Sequence, residues 1–137
     1  MFTISKRIEI SAAHSLDLPY DSPCKRLHGH NWIITVEVSS KELQKTGMVM
    51  DFKFLKEIME GVIKETLDHR NLNEINLLGI GNITAELMAR WIANEVNNAL
   101  TGDVVREGPN VNDDNCPYVS KVSVQESEGN IAIWERQ

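Results

Sequence analysis

The chain has 137 residues, 42% of them apolar and 25% charged, with a formal net charge of −6. That size and balance suit one globular domain over residues 1–137. They argue against a nucleic-acid surface, which needs clustered lysine and arginine, and no apolar run is long enough to span a bilayer.

The start of the chain, MFTISKRIEISAAH, has no apolar signal core after its basic residues, so a cytoplasmic protein is expected. Residues 2–14 alternate: Phe2, Ile4, Ile8, Ile10, Ala12 and His14 share one parity, interrupted only by Lys6. A period of two over this length predicts a half-buried strand with His14 at the end of its apolar face. Residues 15–26, with Asp17, Pro19, Asp21, Ser22 and Pro23, read as a loop. Residues 27–39 form a second predicted strand, with His28, His30, Trp32, Ile34, Val36 and Val38 on one face.

Gly47 opens a turn, and Asp51 is placed to cap a helix whose apolar stripe is Phe52, Leu55, Ile58, Met59, Val62 and Ile63, reaching about residue 66. A second helix is predicted over about 84–100, with Leu87, Met88, Trp91, Ile92, Val96, Ala99 and Leu100 facing the core. Residues 101–117 are rich in Gly, Asn, Asp and Pro and are expected to be the longest and most flexible loop. Residues 118–127 alternate again, Gly129-Asn130 supplies a hairpin turn, and Ile131 to Trp134 form the last strand. The order strand, strand, helix, helix, strand, strand predicts an α+β domain: one four-stranded antiparallel sheet covered by two helices. Its open edges would invite pairing with other subunits.

The chain has only four histidines. His28 and His30 stand two residues apart in a predicted strand and so project to the same side, with no side chain on Gly29 between them. His14 joins them if the two strands pair. Three imidazoles leave a fourth position for water or substrate, which is the ligand count of a catalytic zinc site. An isolated His-x-His is more often a pair of ordinary half-buried hydrogen-bonding residues, and His14 on a neighbouring inward face brings the two readings level.

Cys24 opens the run Cys24-Lys25-Arg26-Leu27-His28-Gly29-His30. Its two cationic neighbours and a nearby metal would favour the thiolate and suit a general base. A fourth metal ligand closing a structural site, or an inert small side chain, fits the spacing equally well. Cys116 is far away in sequence, and both thiols are expected to be free in a reducing compartment. Asp68-His69 follows the first helix; a carboxylate can orient an imidazole for proton transfer, or the pair can simply be a polar helix end. Glu126 falls on the valine-bearing face of its strand, where it could bind a heterocycle with two adjacent N–H groups or turn to water. Thr84 is placed as a helix N-cap whose neighbouring amides could meet a ligand.

Taken together, Ser11-Ala12-Ala13-His14, Cys24 through His30, Leu67-Asp68-His69, Thr84-Ala85-Glu86 and Val124-Gln125-Glu126 resemble the 6-pyruvoyl-tetrahydropterin synthase family, including its 6-carboxy-tetrahydropterin branch of the queuosine pathway. The resemblance implies the tunnelling fold, a ββααββ subunit assembling through a β-barrel trimer into a homohexamer. It implies Zn2+ on His14, His28 and His30, Cys24 as general base with Asp68 and His69 handling protons, and Glu126 anchoring a pterin ring beside Thr84. The substrate implied is 7,8-dihydroneopterin triphosphate, with Lys25 and Arg26 as candidate contacts to its phosphates. The three residues between Cys24 and His28 resemble the carboxy branch, which releases acetaldehyde, more than the pyruvoyl branch, which eliminates triphosphate. Ile83 departs from the proline common in the family before this threonine.

Overall fold

The computed structural model describes residues 1–75, 77, 81–102 and 116–137. Strand β1 (Phe2–His14) pairs antiparallel with β2 (His28–Ser40) along its whole length, from Phe2 opposite Ser40 to His14 opposite His28. β2 then pairs with β4 (Tyr118–Ser127), which turns through Gly129 at φ +80° into β5 (Asn130–Glu135). A fifth strand, unforeseen in the sequence, completes the sheet: β3 (Arg70–Asn71) runs parallel to Ala12–Ala13 and gives the order β3-β1-β2-β4-β5. Two residues are too few to display any alternation, so nothing in the sequence announces β3.

Two bulges modify the simple alternation. Between Glu37 and Val38 the register with β4 shifts by one residue, so that Val119 as well as Val122 and Val124 is buried against β2. The extra residue, Ser120, uses its hydroxyl locally: Ser39 Oγ donates to it at 2.7 Å, and it donates to the Glu37 carbonyl at 3.3 Å. The second bulge, in the pairing of β4 with β5, lies between Gln125 and Ser127 and so falls at Glu126.

Helices cover one face of the sheet. Asp51 caps α1 (Phe52–Met59) by accepting from the Lys53 amide at 2.8 Å. The helix continues through a π-helical turn, Glu60–Lys64, into α2 (Glu65–Leu67). Leu55, Met59, Ile63 and Leu67 are all fully buried, whereas Phe52, placed in the apolar stripe from the sequence, is 53% exposed. Residues at strict four-residue spacing drift by about 40° per step around an α-helix. The wider π turn takes up that drift and keeps the four side chains in one line.

Helix α3 (Ala85–Thr101) buries Met88, Ile92, Val96 and Leu100 against the sheet. They share one buried cluster with Ile8 and Ile10 of β1, Trp32, Ile34, Val36 and Val38 of β2, and Val119, Val122 and Val124 of β4, the strand that α3 lies closest to. The predicted loop over 101–117 lies mainly outside the described residues. Among those described, no helix is long and apolar enough to cross a membrane. Ile92, with no exposed surface at the centre of this contact, is expected to cost about 2–5 kcal/mol when truncated to alanine, measured by urea denaturation.

Candidate metal centre

The β1–β2 register builds the centre. It sets His14 opposite His28 and Ala12 opposite His30, so the three rings share the inner face at the end of the strand pair. Ring centroids are separated by 4.6 Å for His14–His28, 4.8 Å for His28–His30 and 5.3 Å for His14–His30. Trp32 lies beneath, its ring edge-to-face at 5.0 Å from His14 and 5.1 Å from His30, and its indole N–H donates to the Ala12 carbonyl at 3.1 Å.

Backbone carbonyls select the ring tautomers. His14 Nδ1 is 2.7 Å from the Ile83 carbonyl, and His28 Nδ1 is 2.7 Å from the Arg26 carbonyl. A carbonyl only accepts, so each Nδ1 carries the proton and each neutral ring presents a lone pair on Nε2. The pairing of β4 with β2 brings Glu126 to the same place. Its Oε1 is 3.2 Å from both His14 Nε2 and His30 Nε2, yet these two buried nitrogens make no hydrogen bond. At His14 a lone pair therefore faces a carboxylate, an arrangement that a cation between them makes favourable.

One ligand atom each from His14, His28, His30 and Glu126 falls within 4.8 Å of the others. Three imidazole nitrogens with a carboxylate oxygen suit a divalent transition ion such as zinc. Burial holds the His30 pKa below its usual value; Glu126 opposes this, and His28 and His14 reinforce it. That direction keeps the ring neutral and able to donate its lone pair.

A second construction lies on the outer edge of β1. The chain leaves α2 with Asp68 extended and His69 left-handed at φ +58°. Asp68 Oδ1 accepts from the Ser11 amide at 2.9 Å and lies 3.0 Å from His69 Nδ1, and the His69 amide donates to the Ser11 carbonyl at 2.6 Å. These contacts hold His69 in a backbone region that costs a non-glycine residue about 1–2 kcal/mol. The Asp68 carboxyl sits below the usual carboxylate range, first because of the Ser11 N–H. Burial works against the shift and His69 adds to it. The ionised carboxylate accepts a hydrogen bond from Nδ1–H, which leaves Nε2 as the free nitrogen of a His69 side chain that is 81% exposed. His69 and His30 line one open groove of about 510 Å3 with Ser11, Gly29, Asn31 and Arg70.

The remaining candidates lie apart. Cys24 is in a 3-10 turn, Pro23–Lys25, with its thiol exposed; it is not a member of the metal-binding group and does not line the groove. Lys25 and Arg26 are exposed beside it, and what Arg26 contributes to the centre is its carbonyl. Thr84 is the N-cap of α3, accepting from the Leu87 amide at 3.2 Å. Cys116 is a free thiol, half-buried.

A family model described as 6-pyruvoyl tetrahydropterin synthase matches residues 3–137. The chain belongs to the 6-pyruvoyl tetrahydropterin synthase family. It is 41% identical over 96 residues to a 6-carboxy-5,6,7,8-tetrahydropterin synthase of Synechocystis, covering 67% of this chain and 72% of the relative. It is 42% identical over 98 residues to a dihydroneopterin monophosphate aldolase of Pyrococcus furiosus, covering 72% and 77%. The structure of Caenorhabditis elegans 6-pyruvoyl tetrahydropterin synthase superposes with a TM-score of 0.77 at 26% identity, covering 99% of this chain and 96% of that one. The tunnelling-fold subunit expected from the resemblance is thus what the chain forms, with the short parallel strand β3 added to the four antiparallel strands.

The Asp68 clamp has a pH signature. A carboxyl whose folded pKa is depressed stabilises the fold above its unfolded pKa, and that stabilisation disappears as pH falls through the folded value. Asp68→Asn should therefore cost about 1–2 kcal/mol at pH 7. The gap from the parent chain should begin to narrow below about pH 4, the unfolded carboxyl range, and vanish only once the pH is below the depressed folded value, as read in denaturant titrations. A gap that persists at low pH would show that the ionised form is not what holds Ser11.

Proposed function

We propose that the chain is a zinc-dependent lyase that converts 7,8-dihydroneopterin triphosphate and water to 6-carboxy-5,6,7,8-tetrahydropterin, acetaldehyde and triphosphate, a step of queuosine (7-deazapurine) synthesis. The observation that carries this reading is the cluster of three imidazoles, two of them with carbonyl-fixed tautomers, in which the buried Nε2 atoms of His14 and His30 have no hydrogen-bond partner. His14, His28 and His30 would hold the zinc and leave its fourth position to the substrate. When bound, the ion supplies a Lewis acid that polarises oxygens on the substrate side chain.

The chain's own residues handle protons and position the substrate. Cys24 acts as the general base. His69, with Nδ1–H held by Asp68, returns or relays a proton through Nε2. Glu126 accepts two parallel hydrogen bonds from adjacent N–H groups of the pterin. Lys25 and Arg26 offer positive charge to the phosphates in a protein of net charge −6, and Thr84 lies beside the pterin. A cytoplasmic homohexamer, two trimers stacked, is the working assembly. The outer strand β5 supports it, since Ile131 and Ile133 are 54% and 57% exposed there.

A second reading is side-chain chemistry on the same scaffold with a different outcome: elimination of triphosphate to the 6-pyruvoyl product, as named for the nematode relative, or aldol cleavage, as named for the Pyrococcus relative. A closed structural site of Cys24 and three histidines finds less support, because the fourth group at the cluster is Glu126. Incubation with dihydroneopterin triphosphate separates these readings. Acetaldehyde with a carboxylated pterin supports the lyase, and a pyruvoyl product without acetaldehyde replaces it.

Cys24→Ala is expected to keep zinc and lose at least about 100-fold in kcat, the usual scale of general-base catalysis. Loss of zinc in that variant would refute the assigned role. Zinc affinity, read by competition with a chromophoric chelator, should fall as pH drops toward about 6 and the rings protonate.

A further inference from the structure

The loop that carries Cys24 is held from outside by two asparagine side chains. The Ser15 amide donates to Asn73 Oδ1 at 2.7 Å, and Asn73 Nδ2 donates back to the Ser15 carbonyl at 2.8 Å. Two residues on, the Asp17 amide donates to Asn82 Oδ1 at 2.8 Å, and Asn82 Nδ2 donates to the Asp17 carbonyl at 2.9 Å. Ser15 and Asp17 each have both backbone groups taken up by one asparagine, so each primary amide serves as a neighbouring strand would. Leu16 stands between them, and its N–H donates to the Cys24 carbonyl at 2.8 Å. The path from the clamp to the thiol-bearing residue is therefore one residue and one backbone hydrogen bond. Asn82 is also joined directly to Ile83, whose carbonyl orients His14.

We propose that Asn73 and Asn82 are positioning residues that set where Cys24 stands relative to the histidine cluster. The proposal rests on Cys24 being the general base, but the clamp itself is measurable without turnover. These hydrogen bonds lie at the surface, where their loss perturbs global stability least. Their role is then placement of the loop.

The test uses the full-length, zinc-loaded chain in a Cys116→Ser background, with a nitroxide on Cys24 for the spectroscopic arm and unlabelled protein for turnover. Asn73→Ala/Asn82→Ala should bind zinc as the parent does. The nitroxide should become more mobile, and the Leu16 and Asp17 amides should exchange at least tenfold faster. The unlabelled variant should lose tenfold or more in kcat on dihydroneopterin triphosphate with KM within twofold. The single Asn→Asp variants, which keep the acceptor and lose the donor, should fall between; they carry the test if the double variant does not fold. Unchanged nitroxide mobility and amide exchange would overturn the clamp. A mobile loop with undiminished kcat would overturn its positioning role. If the parent binds zinc yet turns over none of this substrate, the assigned reaction fails, while nitroxide mobility and amide exchange still decide whether the clamp holds the loop.

Discussion

The antiparallel register of β1 on β2 is the constraint on which everything else depends. Its thirteen consecutive residue pairs end with His14 opposite His28. A slip of one residue would send one strand's side chains to the opposite face and separate the imidazoles. The buried residues behind them, from Ile8 to Val38, oppose such a slip, because it would expose the same side chains that pack under the helices. Core formation and assembly of the centre are thus one event, and the hydrophobic energy of the sheet fixes the relative positions of polar groups that would otherwise repel.

Much of this was legible in the sequence because period-two alternation carries its own face assignment. Both long strands, the capping roles of Asp51 and Thr84, and the common face of the three histidines follow from parity and spacing. What was hidden depends on pairings between distant segments. Glu126 shares parity with Val122 and Val124, but its approach to the histidines requires the β2–β4 register, which a single strand does not encode. The Asp68–Ser11 hydrogen bond joins residues 57 apart in sequence. The carbonyls of Arg26 and Ile83 belong to the backbone, so no residue type marks them as tautomer-setting partners. Asn73 and Asn82 sit among turn-forming residues and read only as such.

The departure at Ile83 is instructive. A proline and an isoleucine offer the same carbonyl, and it is the carbonyl that orients His14. The isoleucine side chain instead goes into the core, 1% exposed, while Thr84 still caps α3. The substitution exchanges a rigid ring for buried apolar surface and leaves the polar partner of His14 in place.

The π turn in the first helical run has a reach beyond packing. Wound as a regular α-helix, the same residues would rotate Leu67 further with each four-residue step, by roughly 40°, and the segment after it would depart along another azimuth. The Asp68 carboxylate would then miss Ser11 and take the His69 imidazole with it. The pitch of a helix that contributes nothing to the histidine cluster thus aims the exposed imidazole, and small changes in that winding offer a way to re-aim it without altering any residue of the cluster.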